Sequence, residues 1–281
     1  MRRRFRWVHC QLETLRMCLR RDIRSTLMSL PSTLNDTYER ILEGIPEQRR
    51  EYALRLFQFM AVSIRPFRVE ELADILAFKF EAGVAPRFEE DCPEADPEEA
   101  LLSTCSTMIV IAMVDEFSWE FGLHYEPVRV VQFAHFSVQE FITSERVQID
   151  SKRNVAQFRV FPGPAHTLLA HTCLSLLLFD GCIDKHVENS PLTTYAAMHW
   201  DAHARFEGEP LVIKGAMEAL FDVDKPYFAR WVQQCRDAFQ HDLTHPEQLK
   251  ALSLLYSARS GLPQLTRHLY PLSTLYQCYC G

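Results

Sequence analysis

The sequence predicts a mainly α-helical protein in which one small β-hairpin interrupts a long series of helices. Three observations carry that expectation. Apolar residues recur every three or four positions over most of the 281 residues, a spacing that gathers them on one side of a helix. Only residues 108–114 and 128–134 form runs rich in β-branched and other strand-favouring side chains. Prolines such as Pro46, Pro97, Pro191 and Pro226 stand at the starts of helical patterns, where a missing N–H costs little.

Taken in order, the elements fall into four segments. Residues 1–45 form an amphipathic helical arm. Phe5, Val8, Leu12, Leu15, Leu19 and Ile23 step by three and four, so one helix is expected to carry them as a single core-facing stripe. Pro31 interrupts it. Ser32, Thr33 and Asn35 are N-cap candidates for a second helix with Tyr38, Ile41 and Leu42 inside and Gly44 as its stop. Residues 46–150 follow the order of a winged-helix domain. Its helices are expected at 46–63, 69–77 and 97–106, followed by the hairpin, with 115–127 long enough for a wing. Residues 151–245 read as an α-helical domain whose most apolar stretch, Leu168 to Phe179, is apolar around most of its circumference and so buried on several sides. Residues 246–281 hold a short helix pair with Gly261-Leu262 at its turn, similar to an ankyrin-like capping repeat.

Charge and cysteine content narrow the classes. The net charge is −7, yet residues 1–24 carry eight arginines against Glu13 and Asp22. No apolar h-region follows that basic block, so it is not expected to act as a secretory leader, and no run of about 18 apolar residues is present to span a bilayer. No membrane partner is therefore expected. The nine cysteines are scattered, most inside apolar runs, and read as reduced thiols of a cytoplasmic protein. Cys278 and Cys280 are too close together to resemble the usual pairing of zinc ligands.

Candidate chemistry thins out under inspection. None of the six lysines follows a glycine, so the phosphate-cradling loop that ends in Gly-Lys is missing and the chain is expected to hold no nucleotide cofactor alone. No Gly-x-Ser-x-Gly elbow offers an acyl-transfer serine. His199 and His203 lie at i and i+4, a metal-ligand spacing, but no glutamate follows the first histidine and no third ligand is in register. A packed helix is the plainer account of that pair. His166 and His171, five apart, face different ways. A winged helix invites a nucleic-acid reading, but residues 69–110 contain eleven acidic residues against Lys79 and Arg87, and such a face repels phosphates. The sequence is thus expected to be non-enzymatic, with no catalytic residue and no metal.

Two blocks point further. Leu30-Pro31-Ser32-Thr33-Leu34-Asn35-Asp36-Thr37-Tyr38-Glu39-Arg40-Ile41-Leu42 and, about a hundred residues later, Val131-Gln132-Phe133-Ala134-His135-Phe136-Ser137-Val138-Gln139-Glu140-Phe141-Ile142 resemble the region that follows the ATPase in fungal NACHT-type signalling NTPases, STAND proteins related to NOD-like receptors. The resemblance covers most of the span from Phe5 to Tyr270. It implies a regulatory, protein-interacting region that couples the nucleotide state of an ATPase domain to ligand-sensing ankyrin repeats. It also implies a role for His135, because the winged helix of such switches offers a histidine at a helix start to the terminal phosphate of bound ADP. From its residues alone, His135 reads equally as a helix cap or a hairpin corner. The implied partner is an ATPase domain of that type. An ankyrin-like cap left without a following repeat also suggests self-association. A free-standing interaction scaffold and a winged-helix nucleic-acid binder are the alternatives.

Overall fold

A computed structural model describes residues 2–16, 18–81, 83–89, 96–105, 107–118, 124–145, 153–179, 190–206, 211–235 and 246–269. The chain is mainly helical, and the described residues include two small antiparallel sheets. Its contacts divide it into two compact units. The first joins Met1–Ala73 to Glu94–Pro162, and the second joins Asp74–Pro93 to Gly163–Gly281.

In the first unit, α1 (Arg2–Arg16) is helical as expected but stops early. A 3₁₀ turn at Arg20–Asp22 and a short α2 (Ile23–Met28) replace the continuous helix that the spacing suggested. Leu19, Arg20 and Arg21 are good helix formers, so propensity does not explain the break. The stripe is also turned the other way. The Trp7 indole N–H donates to the Pro31 carbonyl at 3.1 Å and Gln11 Nε2 to Thr37 Oγ1 at 2.9 Å, and Cys10 and Gln11 are buried. Val8 and Leu12 remain exposed. The packed face of α1 is thus the one that carries these two hydrogen bonds, not the one that the apolar spacing marks.

The next helix is built as its sequence suggests. Thr33 accepts from the Asp36 N–H while Asp36 reaches back to the Thr33 N–H, a capping box that starts α3 (Leu34–Glu43). Tyr38 and Leu42 lie fully inside. α4 (Glu47–Val62) buries Ala53, Leu56, Phe57, Phe59 and Met60. Arg65 then grips Glu71 with two hydrogen bonds of 2.7 and 2.6 Å, and the Arg68 N–H adds a third at 2.8 Å. This ties the turn to α5 (Val69–Asp74). Asp96 caps α6 (Pro97–Cys105) by accepting from the Glu98 and Glu99 N–H groups.

The hairpin of the first unit is longer than the sequence suggested. Its strands, Ile109–Ser118 and His124–Phe133, pair in antiparallel register from Ile109↔Phe133 to Ser118↔His124. Part of the expected loop is therefore strand. Arg68 bridges Val130, and the Val131 N–H donates to the Phe67 carbonyl at 2.9 Å, which brings the segment between α4 and α5 onto the hairpin edge. α7 (Phe136–Ile142) and α8 (Arg153–Ala156) complete this unit. Phe57 is packed against Phe133 and Phe158.

In the second unit a two-residue ribbon that the sequence did not announce pairs β1 (Phe78–Lys79) with β2 (Arg87–Phe88). The hairpin strands of the first unit are thus β3 and β4. α9 (Pro162–Leu177) is the apolar helix, with Leu169, Cys173, Leu174, Leu176 and Leu177 buried. Asp74 Oδ2 accepts from Ser190 Oγ at 2.6 Å and the Leu192 N–H at 3.1 Å, which caps α10 (Pro191–Ala204). α11 (Lys214–Leu220) and α12 (Pro226–Gln234) bring Phe221 and Trp231 edge-on to Trp200 of α10, with Phe228 in turn edge-on to Trp231. α13 (Pro246–Arg259) and α14 (Pro263–Leu269) form the last pair. Gly261 between them has φ +64°, a left-handed conformation that glycine adopts at no steric cost.

Candidate functional site

His135 stands where β4 ends and α7 begins. Its backbone is extended, and its Nδ1 accepts from the Ser137 N–H at 3.2 Å, which makes it the N-cap of α7. An accepting Nδ1 carries the lone pair of the neutral ring, so the ring proton sits on Nε2. Ser137 Oγ lies 2.6 Å from the same Nδ1 and 2.8 Å from Tyr38 Oη. One polarity satisfies all three groups. The Tyr38 hydroxyl donates to Ser137 Oγ, and Ser137 donates to His135 Nδ1. The Phe136 ring, 4.3 Å away between centroids, lies beside the imidazole.

The elements holding this relay come from opposite ends of the first unit. α3 supplies Tyr38, whose ring also lies 5.4 Å from that of Phe141 of α7. Burial raises the Tyr38 pKa, with Ser137 and Arg6 acting in the opposite direction, so the phenol stays protonated and remains a donor. Ser137 and His135 are at the distance of a nucleophile and its base. However, Ser137 is only 5% exposed and its hydroxyl closes the capping turn, so the pair orients a ring and presents no accessible nucleophile.

The histidines of the second unit meet in a way their spacing does not reveal. His203 of α10 bonds Tyr195 Oη through Nε2 at 2.9 Å and His166 of α9 through Nδ1 at 2.8 Å. Phe206 stacks on His166 with centroids 3.8 Å apart. In an Nδ1-to-Nδ1 hydrogen bond one ring donates and the other accepts, so the two rings cannot both be cationic. Burial pushes the His203 pKa down to about 3 and also lowers those of His166 and His171. His199 packs its ring on Tyr195 at 4.7 Å and has no place in the His166–His203 pair. Among the described residues, no group of three or more His, Cys, Asp or Glu gathers as a metal site.

A basic side chain of β4 is engaged by the acidic side chains of α5 and α6. Arg129 bonds Glu70 at 2.7 Å and Glu98 at 3.0 Å, and its pKa is raised chiefly by Glu70. Cys278 and Cys280 lie outside the described residues. Sequence reasoning singled out His135 but not its partners, since Tyr38 and Ser137 look like ordinary inward-facing and capping residues. It also read His166 and His203 separately. No linear signal joins two positions 37 residues apart on different helices.

No family model matches the chain, and no solved structure matches it. A curated relative, the azaphilone pigments biosynthesis cluster protein L of Monascus ruber, is 29% identical over 213 residues, which are 74% of this chain and 42% of that protein. The chain spans about two fifths of the length of the curated relative it matches.

Proposed function

We propose that this chain is a non-catalytic regulatory region of the NACHT and ankyrin-repeat type, whose winged helix presents His135 to the nucleotide of a partner ATPase domain. The observation that carries the reading is the Tyr38–Ser137–His135 relay. It joins the two sequence blocks on which the resemblance rests, although they lie about a hundred residues apart. The relay leaves a neutral imidazole with its proton on Nε2, a donor chemistry suited to a phosphate oxygen.

The arrangement of elements favours the winged-helix reading. α4 is followed by an extended segment bridged to β4 at Arg68, then by α5, α6 and the β3–β4 hairpin, the order of helices, edge strand and wing in that class. The α13–α14 pair with its Gly261 turn is compatible with an ankyrin-like cap. Nucleic-acid binding through α6 is the weaker alternative, because Glu98 and Glu99 open that helix and Arg129 is held by carboxylates. The relative's name gives a biosynthesis cluster and no reaction. A regulator of such a cluster would fit that setting.

The test separates the ring from the cap. His135→Asn keeps a good N-cap residue while removing the imidazole, so the chain should retain its thermal midpoint. Its docking onto an ADP-loaded ATPase domain from a longer relative that has a phosphate-binding loop should weaken, by roughly tenfold for one lost charge-assisted hydrogen bond. Docking of the variant as tight as that of the unsubstituted chain would remove the switch reading and leave His135 as scaffold.

A further inference from the structure

The N-terminal arm carries an aliphatic face that its own unit leaves open. α1 packs through Trp7, Cys10 and Gln11. Val8 and Leu12, one turn apart on another side of the helix, are 45% and 53% exposed, and Leu19, Ile23, Leu27 and Met28 beyond them are exposed as well. Arginines accompany this surface. Arg20 and Arg24 are exposed, and the side chains of Arg16 and Arg21 are 75% and 81% exposed even though Glu13 and Asp22 pair with them.

The charge is local to the arm. Residues 1–24 hold eight arginines and two acids, whereas residues 25–281 hold 22 basic and 35 acidic side chains. We propose that the arm formed by α1 and α2 lies on an anionic lipid surface, its aliphatic residues entering the interface and its guanidinium groups meeting headgroup phosphates and carboxylates. Two arguments select this occupant. The arm of a second copy would set arginines against arginines, which opposes pairing of like faces. A convex helix with aliphatic residues set among arginines matches a deformable apolar layer under negative charge, the setting in which basic amphipathic helices bind membranes.

The arm would rest on the bilayer without crossing it, since no described helix is long and apolar enough to do so. A chain with no spanning segment can still bind a membrane surface, and the apolar stripe of α1 is exposed at Val8 and Leu12. This inference is independent of the nucleotide reading, because it uses no residue of the relay.

Co-sedimentation of the full chain with vesicles tests it. Vesicles of phosphatidylcholine containing about a third phosphatidylserine should bring down at least about five times more protein than phosphatidylcholine alone, and binding should fall severalfold between about 0.1 and 0.5 M NaCl. Leu12→Glu and, separately, Val8→Glu should each reduce binding severalfold while leaving the thermal midpoint in place, because both positions are already exposed. Equal binding to both vesicle types, or no loss with either substitution, would overturn the proposal. So would a doubled solution mass that Leu12→Glu abolishes, since the face would then belong to a second copy.

Discussion

At the scale of single residues, the molecule uses histidine in two opposed ways. His135 is a partly buried ring whose proton is placed by a donor chain, whereas His203 is only 1% exposed and kept neutral by burial. The second has a consequence for stability. A group whose folded pKa is depressed below its unfolded value binds its proton first in the unfolded chain. For a base such as His203 the penalty therefore grows as pH falls from the usual imidazole value of 6.5 toward about 3, at up to ~1.4 kcal/mol per pH unit. The lowered His166 and His171 act with the same sign. Chemical denaturation followed between pH 7.5 and about 4.5 should show this loss. His203→Gln should be weaker than the unsubstituted chain at pH 7.5, because Tyr195 and His166 lose their partner, yet its decline toward acid should be shallower. Parallel pH profiles for the two proteins would refute the assignment.

At the scale of elements, periodicity and capping chemistry worked wherever a helix had one polar end signal and one buried face. Thr33 caps α3 as expected, and the prolines at 97, 191 and 226 occupy the first helical turn of α6, α10 and α12. α9 behaves as its composition requires. Leu174 and Leu177 are buried at 0% and 5% exposure, so Leu177→Ala should leave a cavity costing ~2 to 5 kcal/mol. A urea midpoint that scarcely moves would mean that this side chain does not pack as described. The exception is α1, which packs through Trp7, Cys10 and Gln11 rather than through Val8 and Leu12. Periodicity also missed the β1–β2 ribbon, whose two-residue strands are too short to have a period.

At the scale of the whole molecule, the expectation is a chain that binds and positions but does not turn over nucleotide. With no Gly-Lys loop in the sequence, the purified protein should hydrolyse ATP and GTP no faster than buffer. Turnover above that blank which survives repurification would contradict the reading. The amino-acid order alone determined the helical class, most helix starts, the hairpin and the burial of α9, because each depends on neighbours within a few residues. Only the tertiary structure decided that Tyr38 would orient the imidazole of His135 through Ser137, that His166 and His203 would be hydrogen-bonded, and that the aliphatic side of α1 would face solvent. Those outcomes depend on directional hydrogen bonds between groups 24 to 99 residues apart, and a local pattern of apolar spacing contains no term for them.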